Sequence, residues 1–309
     1  MAESSASRAA VTAPAIVARK GTGRPVVMVT AYDAPSARAC DAAGVDVILV
    51  GDSVANVVLG YEDTLQVTID DMAHHVGAVA RTRPAALVVG DLPWMSYHVS
   101  TADTVHNAAR LVRAGAGAVK LEGGRKRLDA VRAILDAEIP VMGHLGLTPQ
   151  SVHALGGFRV QGKELDDARR IVDDAVALAE AGCFAVVLEC VPDAVARLVT
   201  DSIDVPTLGI GAGRHCDGQV LVFHDLLGLD VGQGRGPKFV RRYADLGADA
   251  RNALVRFADD VRAGTFPSSD ETYHAADGVS ELLGVYGRSA SDTDTGADAV
   301  DGVEAGRPA

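Results

Sequence analysis

Lysine is scarce in this 309-residue sequence, supplying 5 of its 29 basic residues. Acidic residues outnumber basic ones, so the formal net charge is -12 at pH 7, and aromatic residues make up 4% of the chain. Binding of nucleic acid or anionic lipid needs clustered positive charge, and no basic face or RNA-binding aromatic cluster is present. We therefore expect small molecules, and neither nucleic acid nor membrane, as partners.

Cysteine is also rare, and long apolar runs are missing. The four cysteines form no C-x-x-C pair, which argues against a zinc or redox motif. No segment reaches the roughly 18 apolar residues of a membrane span. The N-terminus lacks the basic start and apolar stretch of a secretory leader. These absences predict a reduced, cytoplasmic protein.

Short β-rich segments alternate with segments of helical periodicity, as in βα units around a parallel sheet. Seven strands are predicted, with a weaker eighth at 219–223, and the seven are 25–31, 46–51, 86–90, 117–121, 139–143, 184–189 and 206–210. Helices are predicted over 68–81, 101–113, 126–137, 165–180 and 193–200. This number of units favours a closed (βα)8 TIM barrel over an open doubly wound sheet, although periodicity alone does not establish closure.

Three acidic residues stand at the ends of consecutive predicted strands. Asp52 follows VILVG, Asp91 follows LVVG, and Glu122 follows VKL. Neighbouring strands of a barrel are about 4.8 Å apart, so these carboxylates converge on one small volume at the catalytic face. Two carboxylates about 4 to 5 Å apart repel by about 3 to 4 kcal/mol at an effective dielectric near 20, which favours a shared cation. Oxygen ligands predict Mg²⁺, and the alternative is that each acid caps a helix.

Three further side chains lie near the same predicted face. Lys120 precedes Glu122 by two residues, so both point to one side of the strand, and Lys120 is a candidate for an anionic substrate group or a partner for a carboxylate. His144 ends strand five and is a candidate donor to a substrate oxygen, or a core histidine. Glu189 ends strand six among apolar residues, which suits a general base beside a metal-polarised carbonyl, or a buried ion pair.

Several motifs together resemble the ketopantoate hydroxymethyltransferase family. They are VTAYDAPSA, LVGDSVANVVLGYEDTLQVT, GDLPWMSY, VKLEGG, GHLGLTPQSVHALGGFRVQG, LECVP and GIGAGRHCDGQVLVFHDLLG, and the match runs from about residue 20 to residue 267. The resemblance implies an α/β fold, a (βα)8 TIM barrel of the phosphoenolpyruvate-binding type. It also implies Mg²⁺, a homo-oligomer (a decamer), and the first committed step of pantothenate and coenzyme A synthesis.

The resemblance further implies the reaction and the role of each candidate residue. A hydroxymethyl group would pass from 5,10-methylenetetrahydrofolate to 3-methyl-2-oxobutanoate through a Mg²⁺-stabilised enolate, giving 2-dehydropantoate. Asp52 and Asp91 match direct metal ligands, and Glu122 matches a third acid that binds directly or through water. The keto acid would contact Asp52, Asp91 and three other residues, Ser53, Lys120 and His144. Glu189 matches the catalytic proton acceptor.

The chain is predicted to divide into three parts. Residues 1–19 are predicted to form an N-terminal extension and residues 20–288 the barrel. Residues 289–309 contain five acids and one Arg with almost nothing to bury, which predicts a disordered acidic tail.

Two rival functions remain open from the sequence. One is a metal-dependent carbon-carbon lyase or mutase of the same barrel superfamily, which the GHLGLTPQ segment and the lack of an obvious catalytic cysteine loop oppose. The other is a barrel that has lost activity and only binds a ligand, which the presence of all seven candidate residues opposes.

Overall fold

The computed structural model describes residues 8–229, 236–275 and 278–279. Eight parallel strands form a closed barrel in chain order: β1 Val26–Thr30, β2 Val47–Val50, β3 Leu87–Asp91, β4 Ala118–Glu122, β5 Val141–Gly146, β6 Ala185–Glu189, β7 Thr207–Ile210 and β8 Gly218–Leu221. Closure comes from the pairing of β1 with β8, where Val26 is in register with Gly218. The predicted barrel is confirmed, the open sheet is excluded, and the less distinct eighth strand is real.

The helices lie between and after the strands: α1 Ala13–Val17, α2 Ala34–Ala42, α3 Val54–Val57, α4 Ile69–Ala80, α5 Thr101–Ala114, α6 Leu128–Asp136, α7 Val152–Leu155, α8 Leu165–Ala181, α9 Asp193–Ser202, α10 Phe223–Leu227 and α11 Leu246–Ala263. Local chemistry sets several of their ends. Thr68 and Asp71 form a reciprocal capping box at the start of α4. Gly115 and Gly182 end α5 and α8 with positive φ, a conformation that glycine adopts without steric cost.

Strand residues alternate between two apolar layers. One row of each strand packs inside the barrel, as Val47 and Leu49 do on β2, and the other row packs under the helices, as Ile48 and Val50 do. Ile16 of α1 is fully buried within the interior cluster. Part of the predicted N-terminal extension therefore packs into the core of the barrel.

The chain divides into two compact units, residues 1–250 and residues 251–309. The first contains all eight strands. The second contains most of α11 and a short 3₁₀ helix, Ser269–Glu271. The boundaries predicted at residues 20 and 288 stay predictions, and the predicted acidic tail, 289–309, lies outside the described residues. Within the described residues, no helix is both long and apolar enough to cross a membrane.

Candidate active site at the carboxyl ends of the strands

Several candidate side chains continue, toward the carboxyl ends of the strands, the rows of residues that point into the barrel. Along β4, Ala118 lies in the interior apolar cluster, and Lys120 and Glu122 follow it at two-residue steps. The same step leads from Val89 to Asp91 on β3. The strand register places Asp91 beside Lys120 on the neighbouring strand. One cavity of about 440 Å³ is lined by all seven predicted residues, Asp52, Ser53, Asp91, Lys120, Glu122, His144 and Glu189.

Asp91 and Lys120 form a buried ion pair. The Lys120 Nζ lies 2.8 Å from Asp91 Oδ2, and the two side chains are 4% and 1% exposed. Burial lowers the pKa of Lys120, but Asp91, Glu122 and Asp52 outweigh it and raise that pKa above its usual value. Burial raises the pKa of Asp91, and Lys120 opposes that rise. Lys120 therefore remains a cation that partly neutralises the three acids.

Asp52 is held by a neutral donor. Gln150 Nε2 donates to Asp52 Oδ2 at 2.8 Å, and the Asp52 N–H donates to Asp91 Oδ2 at 3.3 Å. Burial, followed by the charges of Asp91 and Glu122, raises the pKa of Asp52 well above its usual value. The residue at the N-cap of α3 is Ser53, so Asp52 is not a helix cap. Its carboxylate faces the cavity.

A line of contacts joins Glu122, His144 and Glu189. His144 Nδ1 lies 3.3 Å from Glu122 Oε1, and His144 Nε2 lies 3.3 Å from Glu189 Oε2. Burial and Lys120 lower the pKa of His144, but both glutamates overcome them and raise it to about 9. Burial raises the pKa of Glu122, but His144, Lys120 and Gln150 bring it below its usual value. The His144 ring thus lies between two carboxylates, and its Nδ1 is also 3.4 Å from the Lys120 Nζ.

Ser53 lies at the edge of this cluster. Its Oγ is 2.8 Å from the hydroxyl of Tyr32, which is almost wholly buried. Burial raises the pKa of that phenol, so Tyr32 stays protonated and orients the Ser53 hydroxyl at the cavity wall.

The chemistry of the acidic donors fits a hard divalent cation. Asp91 Oδ1 is buried without a hydrogen-bond partner in the described part of the chain, and the nearest basic atom to Glu122 Oε1, which also makes no hydrogen bond there, is His144 Nδ1 at 3.3 Å. As placed, no three His, Cys, Asp or Glu side chains among the described residues stand close enough to hold a metal ion. Mg²⁺ commonly takes one or two carboxylates and completes its shell with water and substrate oxygens. Asp52, two residues after β2, and Asp91, the last residue of β3, match that smaller requirement.

Sequence reasoning missed three residues that support the site. Gln150 contacts Asp52 and Glu122, Tyr97 contacts Gln150, and Tyr32 contacts Ser53. All three lie in the motifs that carried the family resemblance, within short segments that follow strands. Their position after a strand was the available signal. No periodicity identifies which loop residue turns back toward the barrel.

The entrance of the cavity, here called the mouth, differs from its inner part, the floor, which is formed by the buried acids, Lys120 and His144. Phe158 and Val160 lie on one segment that lines it, and Phe239 lies on another. Arg159 and Lys238 add exposed positive charge beside them. The cavity therefore combines an ionic floor with an apolar, basic entrance.

Fold and site together define a (βα)8-barrel enzyme. Among solved structures, the fold is similar to a phosphonopyruvate hydrolase complex with oxalate and Mg²⁺ (TM-score 0.56, 15% identity, covering 89% of this chain and 96% of that one). It is also similar to 2,3-dimethylmalate lyase, a PEP mutase/isocitrate lyase superfamily member (TM-score 0.54, 15% identity, covering 90% and 99%). At this identity the likeness shows the fold alone.

Sequence comparison identifies the family. The ketopantoate hydroxymethyltransferase family model matches residues 10–269. The 3-methyl-2-oxobutanoate hydroxymethyltransferase 2 of Bradyrhizobium diazoefficiens is 56% identical, over 86% of this chain and 90% of that protein. The 3-methyl-2-oxobutanoate hydroxymethyltransferase of Moorella thermoacetica is 56% identical, over 87% and 99%. The chain belongs to the ketopantoate hydroxymethyltransferase family, which confirms the predicted enzyme class over the lyase or mutase.

Proposed function

We propose that the protein transfers a hydroxymethyl group from 5,10-methylenetetrahydrofolate to 3-methyl-2-oxobutanoate. The products are 2-dehydropantoate and tetrahydrofolate, and one water molecule balances the reaction. The observation that carries this proposal is the shared cavity, in which Glu189, His144 and the Asp91–Lys120 pair lie beside further acids. Membership of the family supplies the reaction, and the cavity supplies groups suited to it.

The floor of the cavity would bind the keto acid. Asp52 and Asp91 would hold Mg²⁺ directly, and Glu122 would hold it directly or through water. When bound, the cation supplies positive charge that polarises the keto group and makes the neighbouring C–H bond more acidic. Lys120 Nζ and the Ser53 hydroxyl would orient the substrate carboxylate, because both line the cavity and both donate hydrogen bonds.

Proton removal is assigned to Glu189. Its carboxylate lines the cavity at 18% side-chain exposure, so it can reach a substrate and still be partly shielded from water. Glu189 would accept the proton from C3, and the C–H electron pair would become available to form the bond to the one-carbon unit. The His144 Nε2, 3.3 Å from Glu189 Oε2, would orient that carboxylate before the proton moves.

The co-substrate would occupy the mouth. A folate carries a planar pteridine ring and a glutamate carboxylate. Phe158 and Phe239 offer aromatic surface to the ring, and Arg159 and Lys238 offer positive charge to the carboxylate. This arrangement would hold the one-carbon unit above the C3 carbon of the keto acid.

Purified protein supplied with keto acid, Mg²⁺ and 5,10-methylenetetrahydrofolate tests the proposal. We expect 2-dehydropantoate, detected by mass spectrometry, and we expect its formation to stop when a chelator removes the metal. Cleavage of a 2,3-dialkylmalate without hydroxymethyl transfer would instead support the lyase rival. Keto acid recovered unchanged at saturating folate and metal would contradict the proposed function.

The predicted homo-oligomer and cytoplasmic location remain part of the proposal. Exposed apolar side chains on α11, including Leu254 and Phe257, support self-association. Multi-angle light scattering would distinguish the expected decamer from a monomer.

A further inference from the structure

Gln150, which the sequence did not predict, contacts two acids of the cluster. It lies in the 3₁₀ helix Pro149–Ser151 that follows β5, and it is 5% exposed. Its side-chain Nε2 donates to Asp52 Oδ2 at 2.8 Å and to the Leu92 carbonyl at 3.0 Å. Its backbone N–H donates to Glu122 Oε2 at 3.0 Å. One residue thus contacts two of the three acids, which come from different strands.

The orientation of the Gln150 amide is fixed by its surroundings. The Leu92 carbonyl can only accept, so the NH₂ end must face it and Asp52. The Tyr97 hydroxyl donates to Gln150 Oε1 at 2.6 Å and accepts the Glu122 N–H at 3.2 Å. Both amide protons and the amide oxygen therefore have partners. The hydrogen bond from Tyr97 fixes the amide in this orientation. A buried network with every group paired holds its members in one geometry.

An uncharged side chain such as that of Gln150 suits the position beside Asp52. Lys120 already offsets one carboxylate, at 2.8 Å from Asp91. A second cation beside Asp52 would replace the charge that a bound metal supplies. An amide instead anchors one oxygen of the carboxylate by a hydrogen bond and leaves the net negative charge in place. The acids at the opposite end of the barrel contrast with this, because Asp46 and Asp217 each accept from a backbone N–H and pair with a basic side chain.

We propose that Gln150 is a positioning residue that, locked by Tyr97, holds Asp52 and Glu122 in the orientation that binds the divalent cation. It acts through these two carboxylates and does not touch the cation. Partners of this kind orient metal ligands, and their loss typically lowers metal affinity by about 10- to 100-fold. The inference rests on the proposed metal-dependent function and adds the group that prepares the site for it.

The test is direct titration with Mn²⁺, a paramagnetic substitute for Mg²⁺, followed by electron paramagnetic resonance on the full-length protein. Gln150→Met keeps the volume and removes every side-chain hydrogen bond. We expect its Kd for Mn²⁺ to rise by about 10-fold or more. Tyr97→Phe removes the hydroxyl that orients the amide and that also accepts the Glu122 N–H, and we expect a smaller rise in the same direction. Gln219→Met is the matched control, since Gln219 is exposed on β8 and donates to the Gly213 carbonyl.

Steady-state kinetics separate positioning from general damage. Raising Mg²⁺ should restore most of the kcat of Gln150→Met, because the ligands themselves are intact. A Kd within twofold of wild type in Tyr97→Phe and in folded Gln150→Met would overturn the proposal. Should Gln150→Met fail to fold, the Tyr97→Phe titration decides alone. Wild-type protein that binds no Mn²⁺ would contradict the proposed function itself, so the two failures are distinguishable.

Discussion

Asp91 and Lys120 are cross-strand partners on β3 and β4, and their side chains form an ion pair of 2.8 Å with almost no exposure to solvent. Asp91 Oδ1, the other oxygen of the same carboxylate, has no hydrogen-bond partner among the described residues. One oxygen of the Asp91 carboxylate thus pairs with the buried Lys120 ammonium, and the other remains available to bind a cation. This relationship joins the stability of the barrel to the proposed metal site.

Removal of Asp91 should cost both stability and metal binding. Asp91→Ala leaves the Lys120 ammonium buried beside a weaker set of acids, and breaking a buried pair costs about 3 to 5 kcal/mol. Urea unfolding measures this loss of unfolding free energy, and Mn²⁺ titration measures the loss of binding. The control is Asp201→Ala, which breaks the exposed Arg197–Asp201 pair and should cost less than about 1 kcal/mol. Equal costs for the two variants would show that burial of the Asp91 pair has no energetic consequence.

A methyl group at Gly146 should disturb the proposed base. Gly146 has φ of 92°, and a Cβ there would lie 2.2 Å from the Glu189 carbonyl oxygen. We expect Gly146→Ala to lower kcat by at least about 10-fold, because the backbone of Glu189 must move, and to lower unfolding free energy by about 2 kcal/mol or more.

Gly156→Ala provides the comparison for Gly146→Ala. Gly156 has φ of 68° but open space around its Cβ position. It should show the conformational cost alone, about 1 kcal/mol, with near-normal kcat. If both variants lose kcat equally, the close approach to Glu189 is not what matters.

The capping box of α4 should make stability depend on pH. Backbone and side-chain hydrogen bonds from Thr68 lower the pKa of Asp71 below its usual value. A lowered native-state pKa stabilises the fold above the unfolded-state pKa, about 3.9, and that contribution is lost as pH falls through the native value. Asp71→Asn should therefore cost about 1 kcal/mol at pH 7 and progressively less as pH falls below about 3.9. Chemical unfolding at several pH values measures the difference.

Asp129→Asn controls for the charge change. Asp129 is exposed in the first turn of α6 and makes no hydrogen bond among the described residues. Its substitution should be nearly neutral at each of these pH values. An Asp71→Asn cost that stays constant down to pH 2.5 would contradict the capping explanation.

The sequence was sufficient to predict the barrel and the residues that meet at the carboxyl ends of its strands. Strand ends are visible as apolar runs that stop at Asp52, Asp91 or Glu122, and closure of the barrel brings such ends together. The contacts within the cluster were not predictable in the same way. Whether Lys120 faces substrate or Asp91 depends on strand register, and the approach of Gln150 depends on the path of a loop. The spacing of apolar residues shows neither the strand register nor the path of the loop.

The helical layer shows the same limit. Long helices with clear amphipathic spacing, such as α4 and α5, match their predicted ranges closely. The prediction also left out helices of different length, including α1, whose five residues are too few to show a helical period, α2 with nine residues and α11 with 18. The role of α1 depends on Ile16, which enters the barrel interior, a contact that only the folded chain makes.

Glu189 is proposed to remove the C3 proton of a keto acid held at the acidic floor of the cavity. Proton NMR of 3-methyl-2-oxobutanoate in deuterated water, with Mg²⁺ and without folate, measures that step by itself. We predict that wild-type protein exchanges the C3 proton, and that Glu189→Gln slows exchange by at least about 100-fold while binding Mn²⁺ with wild-type affinity. Exchange by Glu189→Gln at the wild-type rate would show that Glu189 is not the base.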